Sequence, residues 1–341
     1  MALQRFVTSL LFLLLYSSVT MAAKSIEQQM DLLKEAQDYL SVKPSHTLLI
    51  LDSMESRDKL PTALKIRWHI IRVRASVTTN QLGLVEQSLG QLFSYDSHPY
   101  FNERLPTILS ALGIWLRRKG HFKESDISLK CALKYAQGEK QRLLLINSRA
   151  LVARHLGKHE QATKLYKQAE EIALKLQDQS MLATINNNLG AIALDIGDYN
   201  LAEAQFRLAL MGYQNVAKRS GHITAGINLL FIFVLKGELI NFQRLYGPIS
   251  TLTDAFPNQS KKALLAWIYA AYRVKQGSLL SKNQFAQLEA SYAQLESSKV
   301  KQLVDIHLAP ILGVEPQSPK LLSPQDFQSN WFGKVSQCNW Q

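Results

Sequence analysis

Between Asn186 and Leu210 the chain reads NNNLGAIALDIGDYNLAEAQFRLAL, with small residues at Gly190, Gly197, Ala202 and Ala209. An amphipathic helix needs an apolar stripe, not small side chains at these intervals. The intervals recur. Gly157 lies 40 residues before Gly197 and Gly120 another 37 before that, Gly237 and Gly277 follow at 40 and 80, and Asn80 holds the same phase 40 before Gly120. With this glycine as position 15, three units begin at Pro106, Leu143 and Ala183, and other columns move with it. Position 7 holds Leu112, Arg149 and Leu189; position 8 holds Gly113, Ala150 and Gly190; position 20 holds Ser125, Ala162 and Ala202. Position 24 holds Leu129, Tyr166 and Phe206, and position 27 holds Ala132, Ala169 and Ala209.

A repeat of this length is one supersecondary unit that buries its apolar face only by stacking on its neighbours. The columns predict two helices that cross closely where position 8 of the first meets position 20 of the second, so that a larger side chain would push the axes apart. Glycine at position 15 supplies the left-handed conformation in which helices often end. The large group at position 24 fills the gap below the contact.

These residues, LGAIALDIGDYNLAEAQFRLAL above all, resemble the tetratricopeptide repeat (TPR) family over residues 106–216, with Arg149 standing where the family has leucine. The period of about 40 is similar to the extended variety of kinesin light chains and of bacterial peptide-sensing regulators. The resemblance implies an all-α fold, a right-handed superhelical solenoid of about six or seven helical hairpins, with a helix at 281–308 as its C-terminal cap. It also implies a concave groove lined by positions 2, 5, 9, 12 and 13 of the first helices. By position, that groove takes Ser110, Arg117 and Arg118 from one unit, Asn147 and Arg154 from the next, and Asn187 and Asp195 from the third.

Away from the best-formed repeats the pattern decays. Leu230 and Phe242 occupy the close-contact positions of the unit beginning at Ile223, which predicts wider or altered packing there. Residues 24–99 read as divergent hairpins, 100–280 as the repeats, 281–308 as the cap, and 309–341, with four of the ten prolines, as an irregular tail. The tail ends in Trp331, Phe332 and Trp340, which suit packing back on the repeats or docking elsewhere.

At the N-terminus Arg5 precedes an apolar run from about Phe6 to Leu15, then Ser17, Ser18, Thr20, Ala22 and Ala23, which is the order of a secretory signal peptide over residues 1–23. The run is shorter than the roughly 18 to 20 residues that span a bilayer, so no stable membrane span is expected. No cysteine follows it that could carry a lipoprotein anchor, and the expected compartment is the bacterial periplasm, although a eukaryotic secretory route has the same signature. The two cysteines, Cys131 and Cys338, exclude a disulfide-stapled scaffold, and an oxidising compartment permits one bridge between them.

The net charge of +12 is concentrated: residues 57–167 hold 20 Lys and Arg against 8 Asp and Glu, so the excess sits on the repeats and not on the tail. Export removes nucleic acid as the partner and leaves acidic proteins, anionic lipid headgroups or phosphorylated envelope polymers, of which an acidic protein or peptide is the expected one. No phosphate loop or nucleotide fingerprint is present, and the adjacent Glu170 and Glu171 point apart on a helix. His155 and His159 lack metal-ligand company beyond Glu160. The expectation is therefore no enzyme, no metal and no cofactor, with an extracytoplasmic protein-interaction scaffold as the function. The alternative is a free-standing ligand or peptide sensor, because SVKPSHTLLILDS (Ser41–Ser53) leading into 40-residue repeats is similar to periplasmic sensor regions of bacterial signalling proteins. The oligomeric state is not legible.

Overall fold

The computed structural model describes residues 26–55, 57–295, 298–315 and 327–340, and the expected signal peptide lies outside them. The described residues are helical throughout and form two compact units. No helix among them is long and apolar enough to cross a membrane.

The first unit contains three hairpins and the C-terminal tail. Its helices are α1 (26–39) with α2 (Pro44–Ser53), α3 (Thr62–Thr78) with α4 (Leu82–Phe93), and α5 (Pro99–Lys119) with α6 (Phe122–Lys134). Each hairpin closes on a local device. Thr47 donates its hydroxyl to the carbonyl of Ala36 at 3.0 Å, tying α2 to α1 in the core. Asn80 ends α3 with φ of 60°, the conformation its repeat phase predicts. In the third hairpin the hydroxyls of Ser125 and Ser128 donate to the carbonyls of Gly113 and Leu109 at 2.7 and 2.8 Å, so α6 is stitched to α5 from position 20 and from the residue three beyond it.

The tail packs back on this unit. Helix α17 (Phe332–Gln337) is held by a disulfide between Cys131 and Cys338. Trp331 stacks on Phe93 with ring centroids 4.2 Å apart, Trp340 lies against Phe101 at 5.5 Å, and Phe327 meets Trp115 at 5.5 Å. Tyr135 and Lys134 donate to the Cys338 carbonyl at 3.2 and 3.1 Å. The described part of the tail is thus ordered, for the physical reason that three aromatic rings find apolar seats on α4 and α5.

The second unit contains α7 (Gly138–His155) with α8 (His159–Lys175), α9 (Gln179–Asp195) with α10 (Tyr199–Asn215), α11 (Arg219–Lys236) with α12 (Leu239–Asp254), and α13 (Gln259–Lys275) with α14 (Lys282–Tyr292). The second helix of each hairpin also lies on the first helix of the next, α8 on α9, α10 on α11 and α12 on α13. This is the stacking the period requires. Gly157, Gly197, Gly237 and Gly277 all adopt φ between 73° and 88°, ending the first helices in phase. Asp178 and Asp198 then cap the following helices by accepting from the backbone N–H of Met181 and Leu201, both at 3.0 Å.

The small-residue contact differs in detail from the expectation. A Cβ on Gly190 would lie 2.8 Å from two ring carbons of Phe206 and 3.2 Å from the Ala202 carbonyl oxygen. Gly113 stands in the same relation to Leu129. Position 8 is therefore primarily the seat of the position-24 side chain, and position 20 brings its backbone alongside. Ala169 and Ala209 are fully buried, and Ala209 clusters with Ala183 and with Ala225 of the following repeat. Around Leu230 and Phe242 the contact moves one turn along: Gly226 receives Ile249, while Phe242 stacks on Tyr272 at 4.0 Å.

The segment read as one capping helix over 281–308 is broken. Ser281 and Gln284 form a reciprocal capping box that starts α14, which ends at Tyr292. The chain resumes as α15 (Ser298–Leu303), widens into a π-turn at Val304–Leu308, and closes with α16 (Ala309–Leu312). Pro310 has no N–H to return to the preceding turn, which accounts for the widening beside it.

Candidate partner-binding face

The predicted groove residues divide between the units: Ser110, Arg117 and Arg118 lie on α5 in the first, and Asn147, Arg154, Asn187 and Asp195 lie on α7 and α9 in the second. On α5, Ser110 and Arg117 are half-buried, and Arg118 is a brace. Its guanidinium donates to the Val77 carbonyl at 2.7 Å and to Asn80 Oδ1 at 3.1 Å, securing the left-handed turn of the preceding hairpin.

In the second unit the first helices are cross-linked by side chains 41 residues apart. Asn188 Nδ2 donates to Asn147 Oδ1 at 3.5 Å, and Asn228 Nδ2 donates to Asn187 Oδ1 at 3.0 Å. Arg154 forms a two-point ion pair with Asp195, Nε to Oδ2 at 2.7 Å and a terminal nitrogen to Oδ1 at 3.1 Å. The arginine side chain is 12% exposed and the aspartate 2%, so the pair sits out of bulk water. Each of these bonds spans 41 residues against a period of 40, so it joins position 5 of one unit to position 6 of the next, or position 12 to position 13. The offset of one residue hides all three pairings from a column-by-column reading, although the column of asparagines marks where the amides lie.

The second partner of Asp195 was invisible in the sequence. Lys299, on α15, reaches its Oδ1 at 3.3 Å. Farther along the same segment the His307 ring meets Phe231 edge-on at 5.8 Å and Tyr199 at 6.5 Å. Burial pushes the His307 pKa below the usual histidine range, with the Asp195 carboxylate pulling the other way. Val304, Leu308 and Leu312 belong to the same core cluster as Ala191, Leu194 and Phe231. Ala191, Leu194 and Phe231 hold positions 9, 12 and 9 of their units, positions expected to face a groove. Over the C-terminal half of α9 and over α11, that face is covered by the chain's own residues 298–312.

What stays accessible is the face of α7 and of the N-terminal half of α9. Leu144 is exposed there, and Asn147, Leu151, Thr184, Asn187 and Asn188 are half-buried. Among the described residues no group of three His, Cys, Asp or Glu gathers at metal-binding distance.

A family model described as tetratricopeptide repeat matches residues 141–215, which covers α7 to α10. No curated protein sequence matches the chain. Among solved structures, RapI in its apo form superposes with a TM-score of 0.56 at 13% identity, covering 71% of this chain and 86% of RapI. A Rap protein complexed with competence and sporulation factor reaches 0.47 at 15% identity, covering 81% and 88% of the two chains. A tetratricopeptide repeat protein from Parabacteroides merdae reaches 0.41 at 17% identity, covering 80% and 98%.

Proposed function

We propose that this chain, whose residues 141–215 match the tetratricopeptide repeat family, is a non-catalytic, exported interaction scaffold that holds an extended segment of a partner protein along α7 and the N-terminal half of α9. The amide ladder carries the reading. A carboxamide has two N–H donors and two acceptor lone pairs. Asn147, Asn187 and Asn188 can therefore stay in the ladder and still meet the N–H and C=O groups of an extended backbone. Leu144 and Leu151 beside them offer apolar contact for alternate side chains of that segment.

The partner's segment is acidic in this proposal because α7 and α8 lie within the stretch that holds 20 basic against 8 acidic residues. Export is supported by the order of residues 1–23 and by the disulfide between Cys131 and Cys338, a bond that persists in oxidising compartments. The periplasm is the compartment we favour.

The test is affinity capture from envelope extract with the wild type beside an Asn147→Ala, Asn187→Ala double variant. Both substitutions leave the contacts within each hairpin in place but remove the acceptors of the two ladder bonds, so the variant's thermal unfolding is compared with that of the wild type before capture. A protein retained by the wild type, lost by the variant and released by salt supports the proposal. Identical capture by both removes the amide ladder as the working surface.

A further inference from the structure

The first unit contains a cleft of about 720 Å³ that none of the repeat logic uses. It lies where α3 meets the turn after α2, beside Gln91 of α4 and Tyr95 just beyond it. Its interior is cationic and poorly satisfied. The guanidinium carbons of Arg57 and Arg72 sit 5.3 and 5.0 Å from the centroid of the Trp68 ring, and Lys65 lines the same wall. Trp68 is fixed by donating its indole N–H to the Leu51 carbonyl at 3.2 Å. Both arginines are therefore stacked on a rigid, buried plate, an arrangement that holds a guanidinium in one orientation.

Two polar atoms in this wall, Arg72 Nε and His69 Nδ1, are buried with no hydrogen-bond partner. Leaving such groups unpaired costs free energy, which a bound acceptor recovers at Arg72 Nε and, in the tautomer that carries its proton on Nδ1, at His69. The Arg72 side chain is 16% exposed, and its nearest carboxylate, Asp52, stands 4.0 Å away, beyond hydrogen-bond distance. The other carboxylates at the cleft, Glu55 and Asp58, are exposed at its rim. Burial, and then the positive charges of Arg72 and Arg57, hold the pKa of His69 down at about 4, so the imidazole is neutral beside its cationic neighbours.

We propose that this cleft is a binding site for a small oxyanion, a carboxylate or phosphate group, seated against Arg72 and His69 with Arg57 closing over it. A planar guanidinium fork matches either group, and the fixed indole pays the ordering cost in advance. The site is independent of the amide ladder, so either proposal can fail without the other.

The experiment is a titration of the full-length chain with inorganic phosphate, acetate and chloride at matched ionic strength, read by the NMR signals of the His69 ring and by calorimetry. Saturable binding of phosphate or acetate that chloride does not reproduce, with the His69 pKa rising from about 4 as the site fills, is the expected result. Which of the two binds tighter identifies the head group. His69→Gln and Arg72→Gln should each weaken binding about tenfold or more, the loss of one hydrogen bond to a charged group. His69→Gln leaves the Trp68 and arginine stack intact and keeps the test valid if Arg72→Gln does not fold. Equal response to chloride, or wild-type affinity in His69→Gln together with an unmoved His69 signal, overturns the proposal.

Discussion

Replacing Gly190 with alanine tests the hairpin geometry at its tightest point. The added methyl would stand 2.8 Å from two carbons of the Phe206 ring and 3.2 Å from the Ala202 carbonyl oxygen. Carbon atoms pack comfortably at about 3.5 to 4.0 Å, so a gap of more than half an ångström must open. Phe206 is fully buried and the carbonyl belongs to the α10 backbone, so neither yields without moving the helix. Overpacking of this kind costs about 1 to 3 kcal/mol. Against it, removing glycine from a helix interior returns up to about 1 kcal/mol. The balance is a net loss of up to about 2 kcal/mol. Gly90→Ala in α4 is the control, because a Cβ there meets nothing within 4 Å and only the propensity gain remains. Urea titrations followed by far-UV circular dichroism should move the two midpoints in opposite directions. If Gly190→Ala stabilises the protein as Gly90→Ala does, the close approach of α9 and α10 is not the reason for glycine in that column.

Ala202→Leu, on the facing helix, should likewise lower the midpoint, by about 1 to 3 kcal/mol, in the same titration. Reduction of the Cys131–Cys338 bridge, whose ends are 207 residues apart, removes roughly 5 kcal/mol of chain-entropy stabilisation at most. Dithiothreitol should therefore lower the unfolding midpoint and change the emission of Trp331 and Trp340, and an unchanged spectrum would show that the tail does not depend on the bridge. Asp195→Asn leaves Arg154 and Lys299 without their shared carboxylate, at a cost of about 3 kcal/mol for a buried pair, and hydrogen exchange in residues 298–312 should accelerate. The pKa of His69 is about 4 when folded against 6.5 unfolded, so the unfolded state binds more protons between those values and stability falls as pH drops through that window. Comparing wild type with His69→Gln from pH 7 to pH 4 isolates the effect, and parallel curves would refute it.

How much of this was legible follows from the range of the interactions. The left-handed residues at Asn80, Gly120, Gly157, Gly197, Gly237 and Gly277 are a local matter of backbone sterics, so the period alone places the first-helix termini from α3 to α13. Asp178 and Asp198 cap helices within three residues of themselves and are read as easily. The columns at positions 8, 20, 24 and 27 identify the buried contact, although the structure was needed to show that Gly190 seats Phe206 before it meets Ala202.

Partner choice over long separations is different. Whether the arginine at position 12 faces solvent or an aspartate depends on the rotation of one first helix against the next, which sets the pairing of Arg154 with Asp195 and leaves no mark in either repeat. The same holds for residues 298–312, whose return across α9 and α11 depends on the end of helix α14 at Tyr292 and on where Lys299 and His307 land. The cleft at Trp68 gathers Arg57, His69 and Arg72 from two elements whose repeat character is weak. The sequence by itself determined an all-helical array of about 40-residue hairpins, because that information is periodic and local. Only the tertiary structure decided which faces of the array remain open, because a face is covered or exposed by segments whose positions no local pattern encodes.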